Sequence, residues 1–315
     1  MNKTTLPIAV ICGLIAAVLF LSPMTMGGFG LFLSSFTALP LFVVVLGFGT
    51  RAGMISGAVS AFCVAIFLGP IGAISVLGAT MAPALWIGHS AGLSRNDDGQ
   101  EEWFPLSQIL FRLTAISAAI VIILGAVSGY SPQFAFEQTS AMIRQMVEAQ
   151  GSVDGAPLFS DADIATRAAD IASLVPFMMP VSILLLMVLN LRLAERFARR
   201  RKWILRPRED LPSAVGLPPI ACGIFAIAVA ASFVSGSLGL VAQVIAGAFG
   251  GAFVLVGLAT IHFMTRGLAA RPFLLPVVYM VVFFSRFIGP VFAVLGVAET
   301  LFQLRARSAA GPKST

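Results

Sequence analysis

Charge is the scarcest commodity in this sequence. Asp, Glu, Lys and Arg make up 11% of the 315 residues, hydrophobic residues 58%, and the mean hydropathy is +0.96. A soluble domain carries about a quarter charged residues, so an ordinary water-soluble fold is excluded. Cysteine is rare as well. Cys12, Cys63 and Cys222 each sit inside an apolar run, with no C-x-x-C pair and no Cys/His cluster. They read as small core residues, not as disulfides or metal ligands. P-loop, G-x-S-x-G, H-E-x-x-H and dinucleotide fingerprints are all missing. No catalytic, cofactor-binding or metal residue is therefore assigned, and no enzyme activity is expected. Acids are absent from the first eight apolar runs, apart from Asp170 at an edge. A proton- or sodium-coupled transporter usually keeps an intramembrane carboxylate, so that class loses support. His89 and His262 have no such acid beside them and read as interfacial histidines.

What is present is apolar length. A bilayer core about 30 Å thick asks for about 20 apolar residues per helix. Runs of that kind fall near 6–21, 29–48, 52–68, 71–91, 106–128, 171–191, 215–234 and 238–263. The expected fold is all-α, a polytopic membrane helical bundle with eight firm spans. A final stretch, 272–304, is roughly 50 Å long as one helix. It is either one long tilted helix or a hairpin broken at Ser285–Pro290. The start, Lys3 followed by "LPIAVICGLIAAVLFLS", lacks a convincing cleavage site and is read as a retained first helix. Three regions follow: a five-span bundle over 1–128, an acidic amphipathic segment over 129–170, and C-terminal spans over 171–315 with a basic loop at 192–210. In the acidic segment, Met142, Ile143, Met146 and Val147 recur at helical spacing. Ser160 with Asp163 resembles a capping box that opens the next helix. Pro176 and Pro180 are expected to kink that helix.

Charge then orients the chain. Eight of the twenty Lys and Arg residues lie in "RLAERFARRRKWILRPRED", Arg192 to Asp210. Lys3, Arg51, Arg95, this loop, Arg266 and Arg271 fall on one side of the expected spans, and the acidic segment falls on the other. Lys and Arg mark the cytoplasmic side. A multi-pass protein of a bacterial inner membrane follows, with its N-terminus cytoplasmic and, given Arg305, Arg307 and Lys313, its C-terminus too. Trp86, Trp103 and Trp203 fall at the same interface. No base-stacking aromatic series accompanies the cations, so the net charge of +6 does not point to nucleic acid.

Candidate contact residues come from charge and size. Arg196, Arg199, Arg200, Arg201 and Lys202 could meet anionic lipid or a cytoplasmic partner. Arg112, two turns into its span, can snorkel to the inner surface. Arg286 and Glu299 are the candidate buried charges of the last stretch, and Glu299 can pair with Arg305. Ala9, Gly13 and Ala17 form a small-residue row on the first span. Such rows let helices approach closely, either within the bundle or against another membrane subunit.

The tail "LGVAETLFQLRAR" and the segment "GLATIHFMTRG" resemble the YybS-like family of bacterial predicted membrane proteins. That likeness extends to the layout: a five-span first half, a long polar outer segment and a basic inner loop. An acid is expected where Gln303 stands, which leaves Glu299 without a paired carboxylate. The stretch "PLFVVVLGFGTRAGMISGAVSAFCVAIFL" resembles the second and third helices of substrate-binding subunits of energy-coupling-factor vitamin transporters. That resemblance implies a vitamin-like small-molecule ligand and an ATPase-linked membrane partner. In it, Ala9, Gly13 and Ala17 would meet the energising subunit. The contrasting expectation is a non-transporting scaffold that works through its basic loop.

Overall fold

The computed structural model describes residues 4–97, 100–150, 159–204, 206–284 and 288–309. Its order is α1 Thr5–Leu21, α2 Pro23–Ser34, α3 Ala38–Val76, a π-helical turn Leu77–Met81, and α4 Ala82–Ala91. A hairpin follows, β1 Ser94–Asp97 with β2 Gln100–Trp103, then α5 Leu106–Ser128, α6 Pro132–Gln150 and α7 Asp161–Arg200. The chain continues with α8 Leu211–Ala214, α9 Ile220–Ala231, α10 Ser237–Met264, α11 Arg271–Phe284, α12 Ile288–Phe302 and α13 Leu304–Ala309.

Eight firm spans are not supported. Four helices among the described residues are long and apolar enough to cross a membrane: Ala38–Ala91, Leu106–Ser128, Asp161–Arg200 and Ser237–Met264. A fifth arises if α1 and α2, bent by 104°, count as one span. The reason is that apolar runs and helices have different lengths. The second expected span is divided between α2 and the first leg of α3, with residues 35–37 between them. The 38–48 leg covers only about 16 Å. α9 has 12 residues and α12 has 15, each short of the bilayer core. In the last stretch the described residues form α11 and α12, and residues 285–287, with Arg286 and the start of the expected break, lie outside the described residues.

The 38–91 run is not straight. Gly49 (φ 83°) and Gly69 (φ 68°) adopt left-handed backbone that side chains other than glycine resist. Here the chain folds back on itself: a Cβ at Gly53 would lie 2.8 Å from Leu85 Cδ2, and one at Gly88 2.9 Å from Val45 Cβ. In contrast, α7 carries Pro176 and Pro180 through 40 residues without losing helical backbone. Its start is the expected cap. Ser160 Oγ accepts from the Asp163 amide at 3.2 Å, and the Asp163 carboxylate accepts from the Ser160 amide at 3.1 Å. α6 is the expected amphipathic helix and packs on α7, where Arg144 pairs with Asp161 at 3.2 Å.

One apolar core draws on both halves of the chain, including Ala16, Phe42, Leu113, Leu184, Phe253 and Ala293. The outward faces are apolar too, with Ile71, Val127, Phe233 and Phe273 among the most exposed side chains. Small residues set the close contacts. Ala9, Gly13 and Ala17 are buried against α3, where a Cβ on Gly13 would collide with Ser56 O. Of the two expectations for this row, packing within the bundle is the one the chain's own α3 fulfils. Gly257 and Gly296 bring α10 and α12 together in the same way.

Candidate functional site

The bundle ends differ in chemistry. At one end, α7 overruns its apolar part and turns at Lys202 (φ 57°). Trp203 then packs on Phe48 and Phe197, with ring centroids 4.9 and 5.8 Å apart. Arg206 follows and is almost fully buried. Its guanidinium donates to Ala91 O at 3.1 Å, to Phe104 O at 2.8 Å and to Glu209. The end of α4, the entry to α5 and the turn after α7 are thereby tied together. Arg266, beyond α10, pairs with Asp210 at 2.6 Å. Its guanidinium and the Ser213 hydroxyl hold the Asp210 carboxyl below the usual carboxylate range. Glu299 on α12 is buried and accepts from the Arg305 side chain at 2.8 Å and from its amide at 3.0 Å. Arg305 also donates to Pro212 O at 2.7 Å.

The expected basic residues divide into two groups. Arg199 is engaged inside the protein, donating to Glu195 at 3.0 Å and Arg206 O at 2.6 Å, so it is not a free loop cation. Arg196, Arg200, Arg201 and Lys202 are exposed, and Arg201 lies over the Phe197 ring at 5.7 Å. An open groove of about 830 Å³ runs beside α7 and is lined by Arg192, Arg196, Arg199, Arg200 and Arg208. Glu195, Glu209 and Asp210 share its wall. Arg112 sits nearby, over the Phe104 ring at 4.3 Å and bonded to the Ser90 hydroxyl.

At the other end, a cavity of about 260 Å³ lies between α5, α7 and α10. Its wall is mostly apolar and includes Val121, Leu124, Val175, Met179, Leu240 and Val244, with Ser128 and Ser237 as polar members. Tyr130 also lines it. The Tyr130 hydroxyl is buried with no hydrogen-bond partner among the described residues, and burial pushes its pKa up. Gly129, in left-handed backbone at φ 66°, ends α5 and sets Tyr130 there. Sequence reading did not single out Tyr130. Its scarcity, as one of two tyrosines, was the available signal.

Three further residues were missed. Asn190 on α7 is buried and donates to Ser35 O at 2.8 Å, in the loop between α2 and α3. Non-helical backbone at membrane depth needs such a partner. The Arg206 and Glu209 pair was legible only as an i,i+3 spacing of opposite charges. Among the described residues no group of three His, Cys, Asp or Glu could hold a metal ion.

Apolar helices, an apolar exterior and charge gathered at the ends define a multi-pass helical membrane protein. The chain belongs to a family described as predicted membrane protein (DUF2232), whose profile matches residues 14–300. No curated protein and no solved structure matches it.

Proposed function

We propose that the protein is a membrane-embedded binding subunit for a small, largely apolar metabolite held between α5, α7 and α10. The buried, unpartnered Tyr130 hydroxyl on a mostly apolar wall that Ser128 and Ser237 share carries this reading. A buried hydroxyl without a partner costs about 1–3 kcal/mol, and a ligand with one polar atom would recover part of it. The volume, about 260 Å³, falls just under the usual range for drug-sized ligands, about 300–1,000 Å³. The ligand is therefore small.

Among the described residues no Asp, Glu, His or Lys lines the cavity, so these residues supply no coupling acid there. Uptake would draw its energy from a separate ATPase-linked membrane subunit, in keeping with the resemblance to energy-coupling-factor binding subunits. The positive-inside rule puts the arginine-rich end in the cytoplasm of a bacterial inner membrane. The cavity then faces outward, at the α6 end. Thermal-shift screening of small metabolites in detergent tests the reading: a true ligand raises the melting temperature of the native protein, and filling the cavity abolishes that rise. A second reading, recruitment at the basic end without transport, is favoured by the arginine groove.

A further inference from the structure

The groove beside α7 has an unbalanced charge count. Each carboxylate on its wall is already held by a guanidinium. Glu195 is held by Arg192 at 2.7 Å and Arg199 at 3.0 Å, Glu209 by Arg206, and Asp210 by Arg266 at 2.6 Å. Three wall arginines, Arg196, Arg200 and Arg208, are exposed and have no acidic partner among the described residues. Arginine presents a planar fork of donors that matches phosphate oxygens. Cations crowded into one groove repel one another until an anion enters.

The position adds to the chemistry. Arg192 follows directly on the apolar run of α7 that ends with Leu189 and Leu191, and Leu211 and Pro212 form part of the same wall. The groove thus begins where the apolar surface stops, at the depth of lipid headgroups. Its volume, about 830 Å³, has room for more than a single phosphate.

We infer that this groove is a phosphate-binding site for the headgroup of an anionic phospholipid, with Arg196, Arg200 and Arg208 as the free donors. Arg192 and Arg199 shape the wall through Glu195. The site lies at the opposite end from the apolar cavity, so it stands or falls independently of the metabolite reading.

The experiment is native mass spectrometry of the full chain in detergent, titrated with phosphatidylglycerol, with phosphatidylcholine, or with inorganic pyrophosphate. The wild type and the triple variant Arg196→Gln, Arg200→Gln, Arg208→Gln are compared. These three side chains make no ion pair or hydrogen bond described for the fold, and a melting curve checks that the variant stays folded. At about 1 kcal/mol per cation near an anionic surface, the triple change is expected to weaken phosphatidylglycerol binding about a hundredfold. Phosphatidylcholine binding is expected to stay unchanged. Equal phosphatidylglycerol binding by variant and wild type overturns the site. Pyrophosphate that displaces phosphatidylglycerol completely and binds more tightly overturns the lipid source in favour of a soluble phosphate ligand.

Discussion

Arg206 donates to the carbonyl of Ala91 at 3.1 Å, across 115 residues of chain. The same guanidinium reaches Phe104 O and Glu209, so one buried cation fastens the turn after α7 to α4 and α5. Removing one partner of a buried ion pair costs about 3–5 kcal/mol. Glu209 keeps some solvent exposure, so Arg206→Ala should lose about 3 kcal/mol, the lower end of that range. Arg200→Gln, on an exposed side chain, should stay within about 0.5 kcal/mol. Thermal melting of both variants in one detergent checks the contrast.

Gly13→Leu should damage the fold, not an association. A Cβ at Gly13 would lie 2.9 Å from Val59 Cβ and collide with Ser56 O. Overpacking of this kind costs about 1–3 kcal/mol. The variant should therefore melt lower with no partner present. A variant that melts like the wild type yet loses a co-purifying subunit would return the row to an interface.

Asp210 gives the basic end an acid sensitivity. Its folded pKa lies below the unfolded one, because Arg266 and Ser213 hold the charged form. The stability it adds is complete above the unfolded value, about 3.9. It is lost as pH falls through the lower folded value. Asp210→Asn should remove that part of the acid destabilisation. Melting curves for the two proteins should differ at neutral pH and converge once the pH falls below the folded value.

The expected elements that rest on local chemistry are present in the structure. Ser160 and Asp163 cap α7 as their spacing requires, and α6 follows the period of its methionines. Span count was less legible. Hydropathy sees apolar length, but Gly27 (φ 50°), Gly49 and Gly69 bend or reverse the chain within apolar surroundings. Ser35 and Thr37 interrupt the apolar run at 35–37 only briefly, and the hydrogen bond from Asn190, 155 residues away from Ser35, shows what the loop packs against. The cavity could not be read from sequence, because residues from α5, α7 and α10 meet only in the fold.

Tyr130→Phe separates a structural hydroxyl from a ligand-binding one. No protein partner is lost, so stability without ligand should hold or rise slightly. Ligand affinity should fall about tenfold, the worth of one hydrogen bond of about 1.4 kcal/mol. Calorimetric titration of both proteins with a metabolite found by thermal shift checks this.

The central claim is a small molecule held between α5, α7 and α10. Its most direct test is mass spectrometry of the gently extracted protein beside Leu240→Trp, a change that fills the cavity from its wall. The account predicts a stoichiometric metabolite on the wild type and its loss from the folded variant. The same metabolite on both proteins, or a wild type that retains lipid alone, would contradict it.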